Sequence, residues 1–349
     1  MTDPREAPAG HDLGSAEWTD LSEADRHHLR RAIRLGREGW GSVHPNPMVG
    51  CVLVRNGSVV AEGVHRSFGG PHAEADALAR AGSEAKGATA YVSLEPCRHQ
   101  GKTPPCAPAL HAAGIARVVF WAPDPGPEEG GGGRWLEEQG VRVQGPYGSE
   151  EEWRGENPFF FHRPHRNRPY VAVKLAVSLD GGIAPAGGRR QWLTGPEARG
   201  EVHRLRAGFD AILVGAGTWR ADDPELTVRE WTQPATPPLR VFIDPRGDMA
   251  STAAAFQGDG GPVVLAVGEA VVDAAATRLG SRAQVFGLPP GPGGLDMPCL
   301  LDLLGRRGVR TLLCEGGGRL AATLLAGGLA DRLYFFQAPL FLGSRRVSA

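Results

Sequence analysis

Short apolar runs with strand composition alternate along the chain with segments of helical spacing, which restricts the fold to helices layered on β-sheets. Ser22-Glu23-Ala24-Asp25 opens a helix carrying Leu29, Ile33 and Leu35, closed by the glycine-containing stretch 36–41. Strands over 49–54 and 59–64 flank Asn56-Gly57, a pair suited to the positive φ angles of a hairpin turn. A helix over 72–81, a strand over 90–94, a helix over 107–113 and a strand over 118–121 follow, and 128–133 reads as a glycine-rich loop. The second half repeats the alternation. Strands are expected over 170–177, 211–214, 240–243, 263–266, 311–314 and 332–337, and helices over 196–206, 299–307 and 319–326, with 289–294 as a loop.

At 349 residues the chain is about twice the usual single-domain size, so two domains are expected. The charged, aromatic, Pro-interrupted stretch 150–168 is the natural boundary. The reading is a flexible arm over 1–21, one domain over 22–167 and a second over 168–349. Hydrophobic residues at 41% and charged residues at 22% are globular proportions, and a net charge of -1 provides no field for a phosphate backbone. Nucleic acid is therefore not an expected partner. The first ten residues are polar with no apolar signal core, and no apolar stretch approaches membrane-spanning length. A cytoplasmic location and no membrane partner are the expectations. Of five cysteines, Cys51, Cys299 and Cys314 fall in apolar elements and read as core residues.

His72-Ala73-Glu74, after the break Gly69-Gly70-Pro71, is matched downstream by Pro96-Cys97 and Cys106. One imidazole and two thiolates suit Zn2+, and three protein ligands leave a fourth position for water. Glu74 is not needed as a ligand and can shuttle a proton, as in zinc deaminases. Eight residues separate Cys97 from Cys106, so spacing alone leaves two alternatives open. One is a closed structural site with His99 as fourth ligand, and the other is a metal-free helix histidine with two buried cysteines. Neither accounts for Glu74.

The wider motifs extend this reading. His44-Pro45-Asn46-Pro47 with Val49-Gly50, then Pro71-His72-Ala73-Glu74, then Leu94-Glu95-Pro96-Cys97 through Thr103-Pro104-Pro105-Cys106, resemble the deaminase half of the bifunctional riboflavin-biosynthesis deaminase-reductase family. The long cysteine spacing is that family's own pattern. Lys174 to Gly181, Gln191 to Gly195, Leu205-Arg206, Asp210 to Thr218, Ala221 to Arg229 and Glu315-Gly316-Gly317-Gly318 resemble its reductase half. The resemblance implies an α/β chain: an N-terminal cytidine-deaminase-like three-layer domain and a C-terminal dihydrofolate-reductase-like domain. It implies Zn2+ on His72, Cys97 and Cys106, with Glu74 catalytic, and substrate contacts from Asn46, His65, His99 and Lys102. An asparagine held between two prolines can also be read directly as an amide presented to a heterocycle edge, and Lys102 as a phosphate contact.

In the second half the resemblance implies NADPH contacts from Ala176, Trp192, Thr218, Asp222 and the segment Gly317, Gly318, Arg319, Leu320, Ala321, Ala322 and Thr323. It implies substrate contacts from Arg206, Leu226, Arg229 and Glu315. At Arg190 the family has a serine, so this arginine either crowds the nicotinamide side or adds a phosphate contact. A strand running into three glycines and then a helix leaves backbone N–H groups to face a diphosphate, although the G-x-G-x-x-G spacing is absent. Lys86, Lys102 and Lys174 are the chain's lysines, and Lys174 sits in an apolar strand where burying charge is costly. It is the candidate catalytic group together with Asp222.

The implied function is hydrolytic deamination of a diaminopyrimidinone ribosyl phosphate, followed by NADPH reduction of its ribosyl group to ribityl. The alternative is a zinc-dependent pyrimidine deaminase with an inactive reductase-like module. The expected partner is the small-molecule pyrimidine ribosyl phosphate, and homo-oligomerisation is left open.

Overall fold

The structure is a computed structural model that describes residues 18–101, 103–126, 129–162, 168–185, 192–258, 260–343 and 346–348. The chain divides into two compact units, Met1–His165 and Arg166–Ala349.

In the first unit, α1 (Glu23–Gly36) starts at Ser22. The Ser22 hydroxyl accepts from the Asp25 backbone N–H, and the Asp25 carboxylate accepts from the Ser22 N–H, both at 3.1 Å. This reciprocal cap satisfies donors that have no partner inside the helix. Strands β1 (Gly50–Arg55) and β2 (Ser58–Val64) form the expected hairpin, with φ of 51° at Asn56 and 78° at Gly57. Then come α2 (Ala73–Ala81), β3 (Thr89–Leu94), α3 (Cys106–Ala112), β4 (Arg117–Ala122), α4 (Gly132–Glu138), β5 (Arg142–Gln144), α5 (Glu150–Glu156) and α6 (Pro158–His162). The sheet order is β2-β1-β3-β4-β5, antiparallel on both sides of β1 and parallel from β3 to β5.

Two glycines show how the layers meet. A Cβ at Gly50 would collide with the α1 backbone at Ala32, and one at Gly63, the strand partner of Cys51, would collide with the α2 backbone at Ala73 and Ala77. Adjacent residues of a strand face opposite sides. Helices α1 and α2 therefore cover opposite faces, giving the three-layer arrangement.

Two sequence expectations are corrected in this unit, and a third gains helices that the sequence did not show. The arm was expected to reach residue 21, but Trp18 and Leu21 are buried and Asp20 accepts from the Tyr147 hydroxyl at 2.7 Å. Burial of the indole outweighs the cost of ordering the few residues around it. The glycine-rich stretch 128–133 ends in helix α4, whose first residue, Gly132, passes so close to the Pro96 carbonyl that a side chain would not fit; the glycines there serve packing and not a loop. The stretch 150–168, where the boundary was expected, contains the division between the units after His165, and it also carries α5 and α6, the first nucleated by a Ser149–Glu152 capping box.

Asp25 joins the layers. It is 8% exposed and accepts from the Tyr91 hydroxyl and from Arg117 Nη1, each at 2.6 Å. Burial alone would raise its pKa, but the bonds from Arg117, Ser22 and Tyr91 outweigh burial and hold the carboxyl well below the usual range. The stabilisation is present above the ordinary carboxylate pKa and is lost as pH falls through the folded value. Asp25→Asn is expected to cost about 3 kcal/mol, the low end for breaking a buried pair. Urea denaturation at neutral pH checks this, and a cost under about 0.5 kcal/mol would show the network to be inert.

In the second unit the elements are β6 (Tyr170–Ser178), β7 (Gly182–Pro185), α7 (Pro196–Ala207), β8 (Ala211–Val214), α8 (Ala216–Asp222), β9 (Leu239–Ile243), β10 (Val263–Gly268), α9 (Val272–Leu279), β11 (Gln284–Leu288), β12 (Pro290–Gly291), β13 (Gly294–Leu295), α10 (Met297–Arg306), β14 (Thr311–Cys314), α11 (Gly318–Ala326), β15 (Arg332–Ala338) and β16 (Arg346–Ser348). Seven parallel strands form one sheet in the order β11-β10-β9-β8-β14-β6-β15. Strands β7 and β16 pair separately, as do β12 and β13, so 289–294 is a hairpin and not a plain loop. Two-residue strands leave no periodicity to read. Helix α8 escaped the sequence reading for a related reason, since it buries none of its residues.

The strand order creates the site. Because β14 lies between β8 and β6, Cys314 pairs with both Leu213 and Val173. All three strands run the same way, so Glu315, just past the end of β14, comes level with Lys174 of β6 and Val214 of β8. In open parallel sheets, ligands bind outside the carboxyl ends of the strands.

Candidate active sites

The first site is built where α2, α3 and the loop after β3 meet. His72 is the N-cap residue of α2, Cys106 is the first residue of α3, and Cys97 lies between β3 and α3. Their ligand atoms lie within 4.8 Å of one another. His72 Nδ1 is 3.3 Å from Cys106 Sγ and 3.6 Å from Cys97 Sγ. Cys97 Sγ also accepts from the Cys106 backbone N–H at 3.4 Å. A hydrogen bond from Cys106 outweighs burial and, with the His72 ring, draws the Cys97 thiol down to about 4. That favours the thiolate, the ligand form of cysteine. One nitrogen and two sulfurs converging on a common point fit a zinc ion.

Glu74, 4% exposed in the first turn of α2, lies against this set. Burial and the neighbouring Cys97 thiolate push its carboxyl up to about 7. His65 is 2% exposed, and both its ring nitrogens are engaged: Nδ1 donates to the Pro71 carbonyl at 2.8 Å and Nε2 accepts from Asn46 Nδ2 at 3.1 Å. Burial, with only partial opposition from the Pro71 bond, lowers its pKa and favours the neutral ring. His65 thus braces Asn46 and leaves Asn46 Oδ1 as the atom available to a ligand. His99 is exposed on the loop after Cys97, and Lys102 lies outside the described residues. The sequence reading missed Thr103, whose Oγ1 is 3.0 Å from His72 Nε2. A hydroxyl there orients the ring so that Nδ1 faces the sulfurs, but no local pattern distinguishes Thr103 from any other loop hydroxyl.

The second site is a cleft of about 930 Å³ at the carboxyl edge of the parallel sheet. Lys174, Ala176, Trp192, Arg206, Thr218, Asp222, Arg229 and Glu315 line it, together with Gly317, Gly318, Arg319, Leu320 and Thr323. Three residues read from sequence do not. Leu226 and Ala321 are buried in the core at 3% and 2% exposure, and Ala322 faces outward from α11. Leu226 takes a φ of 57°, which turns the chain so that the Thr227 carbonyl accepts from Arg206 Nη1 at 2.9 Å. Arg190 lies outside the described residues.

Arg206 and Glu315 form a two-bond ion pair at 2.5 and 3.0 Å. Burial raises the Glu315 pKa, but Arg206 outweighs it and, with help from Lys174, holds the carboxyl below its ordinary value. Burial depresses Lys174, whose Nζ lies 5.2 Å from the centre of the Phe336 ring, and Glu315 opposes that shift only in part. Arg229 pairs with Glu225 at the surface. The Gly317 N–H donates to Thr218 Oγ1 at 3.0 Å, so it is the N–H groups of Gly318 and Arg319, the first residues of α11, that open onto the cleft. His203, absent from the sequence reading, also lines the cleft, and its Nδ1 accepts from the Arg229 N–H at 3.3 Å.

Comparison with known proteins agrees with this geometry. Residues 22–122 match the cytidine and deoxycytidylate deaminase zinc-binding region, and residues 169–349 match the RibD C-terminal domain. The riboflavin biosynthesis protein RibD of Escherichia coli is 41% identical over 338 residues, 92% of this chain and 89% of that protein. The chain belongs to the RibD family. The RibD of Aquifex aeolicus is 37% identical, over 93% of this chain and 89% of that one. Acinetobacter baumannii RibD superposes with a TM-score of 0.76 at 35% identity, covering 93% of this chain and 90% of that chain. A diaminohydroxyphosphoribosylaminopyrimidine deaminase/5-amino-6-(5-phosphoribosylamino)uracil reductase from Thermotoga maritima superposes at 0.78 with 33% identity, covering 93% and 89%. This RibD-family chain is a riboflavin-biosynthesis enzyme with deaminase and reductase halves, the first built around a zinc-binding region. Nothing favours the single-activity alternative. Among the described residues no helix is long and apolar enough to cross a membrane.

Proposed function

We propose that the chain hydrolytically deaminates 2,5-diamino-6-(5-phosphoribosylamino)pyrimidin-4-one in its first unit and reduces the ribosyl group of the product to ribityl with NADPH in its second. The observation that carries the reading is the open His72/Cys97/Cys106 donor set with a buried carboxylate, Glu74, against it. The substrate and cofactor assignments draw on the relatives' names and on the lining of the second cleft.

In the first unit His72 Nδ1, Cys97 Sγ and Cys106 Sγ hold the zinc, which when bound supplies a Lewis acid that activates water for attack. Thr103 keeps the His72 ring turned. Asn46 Oδ1, steadied through His65, accepts from the edge of the pyrimidine. Glu74 takes a proton on its carboxylate and returns it to the departing amine. A carboxyl held near neutrality by burial serves both steps.

In the second unit Gly318 and Arg319 offer backbone N–H groups to the cofactor diphosphate, favoured by the α11 dipole. NADPH supplies the hydride when bound. Lys174 stabilises or protonates the oxygen that gains charge as the sugar carbon is reduced, and Asp222 orients groups on the nicotinamide side. Arg206 and Glu315 act as a locked pair that fixes the wall where the substrate sits, and Arg229 adds a charge for its phosphate.

Mass-spectrometric product analysis tests the reading. Without NADPH the zinc-loaded enzyme should release one ammonia while the pyrimidine, having exchanged an amine for an oxygen, gains about 1 Da net; with NADPH the product should then gain two hydrogens. An unchanged substrate under both conditions would refute it. A further expectation concerns pH. Because burial lowers Lys174 below the ordinary lysine value of 10.5, its charge is lost at lower pH than that of a free lysine. NADPH oxidation should therefore fall as pH rises through that depressed value. Lys174→Arg should move the alkaline fall to higher pH, and an unmoved profile would remove Lys174 from the reaction.

A further inference from the structure

The stretch 150–168 reads in sequence as a domain boundary, yet it contains one of the few buried polar side chains of the first unit. Asn157, between α5 and α6, is 7% exposed. Its Oδ1 accepts from the Met48 N–H at 2.7 Å, and its Nδ2 donates to the Met48 carbonyl at 3.0 Å. One carboxamide thus satisfies both backbone groups of a single residue, as a neighbouring strand would.

Met48 follows Pro45-Asn46-Pro47 and precedes β1. The two prolines have no N–H to offer, so the loop has few backbone donors by which to be held. On its near side the Asn46 N–H donates to the Val43 carbonyl at 2.8 Å, and on its far side the Gly50 N–H donates to Ser93 Oγ at 3.0 Å. Between these points the main chain is held by the Asn157 pair at Met48 and by the His65 N–H, which donates to the Val49 carbonyl at 3.0 Å, while the His65 ring holds the Asn46 side chain. From the same segment, the Phe159 ring of α6 lies 5.4 Å from that of Trp40 and 5.9 Å from that of His44.

We infer that Asn157 is a positioning residue of the deaminase pocket: by clamping both backbone groups of Met48, it sets where Asn46 presents Oδ1 to the pyrimidine. The inference rests on the deaminase reading above. Asn157 touches neither the zinc ligands nor Glu74, so its loss should weaken substrate binding and spare turnover.

The test uses the full-length, zinc-loaded enzyme. Asn157→Asp keeps the shape and the acceptor but sets a carboxylate oxygen against the Met48 carbonyl; Asn157→Thr, a second variant in case the first does not fold, keeps one hydroxyl. The expected result is a rise of about 10-fold in KM for deamination, with kcat within about threefold and zinc content unchanged. In an Asn46→Ala background the same substitution should add less than about twofold, because it acts through Asn46. Arg37→Gln is the control, since it breaks the neighbouring Arg37–Glu156 pair and should lower Tm without raising KM. Unchanged KM in the folded variant overturns the inference. So does an additive effect in the Asn46→Ala background, or an equal KM rise in Arg37→Gln. A zinc-loaded wild type that releases no ammonia would overturn the deaminase reading and this inference with it.

Discussion

Cys97→Ala is expected to strip the zinc and abolish ammonia release while NADPH oxidation with the deaminated substrate continues. Cys97 is the thiol most favoured as thiolate, drawn down by Cys106 and His72, and its sulfur also accepts the Cys106 N–H at the start of α3. Removing it leaves one nitrogen and one sulfur, too few to hold zinc in a protein site. The affinity loss should exceed the roughly 10- to 100-fold that altering a second-shell partner costs. Metal content after dialysis and ammonia release are the two readouts, and the reductase rate is the internal control because the two sites share no residue. Stoichiometric zinc and full turnover in Cys97→Ala would show that the donor set is not the metal site.

Glu74→Gln should separate metal binding from chemistry. The carboxylate is nine-tenths or more buried and is held near pH 7 by burial and by the Cys97 thiolate. Glutamine keeps its shape but cannot carry a proton between water and the leaving amine. Zinc content should be unchanged and deamination should fall by about 10²- to 10⁴-fold, the usual contribution of a positioned acid–base group. Wild-type-like ammonia release from the zinc-loaded variant would exclude Glu74 as the proton carrier.

Several features were readable from local sequence because the physics that produces them is local. The Ser22–Asp25 cap, the Asn56-Gly57 turn and the apolar strands at 170–177 and 311–314 depend on neighbours a few residues away. The His72, Cys97, Cys106 and Glu74 set was legible from residue chemistry, since few side chains other than imidazole and thiolate suit zinc. Elements with no buried face, such as α8, or too short for a period, such as β12 and β13, left nothing to read.

The sequence by itself determined the kinds of layer, the donor set suited to a metal, the carboxyl of Glu74 two residues from its histidine and the placing of a lysine in an apolar strand. Tertiary structure alone decided what surrounds them. The insertion of β14 between β8 and β6 brings Glu315 beside Lys174, and the Arg206–Glu315 pair spans 109 residues of chain. Both ring nitrogens of His65 are engaged within the protein, one of them bracing Asn46. Asn157 reaches Met48 across the same separation of 109 residues. Each of these contacts pays no local dividend that composition or spacing could reveal. They exist because a closed core leaves buried N–H, C=O and charged groups to be matched with whatever the fold brings near.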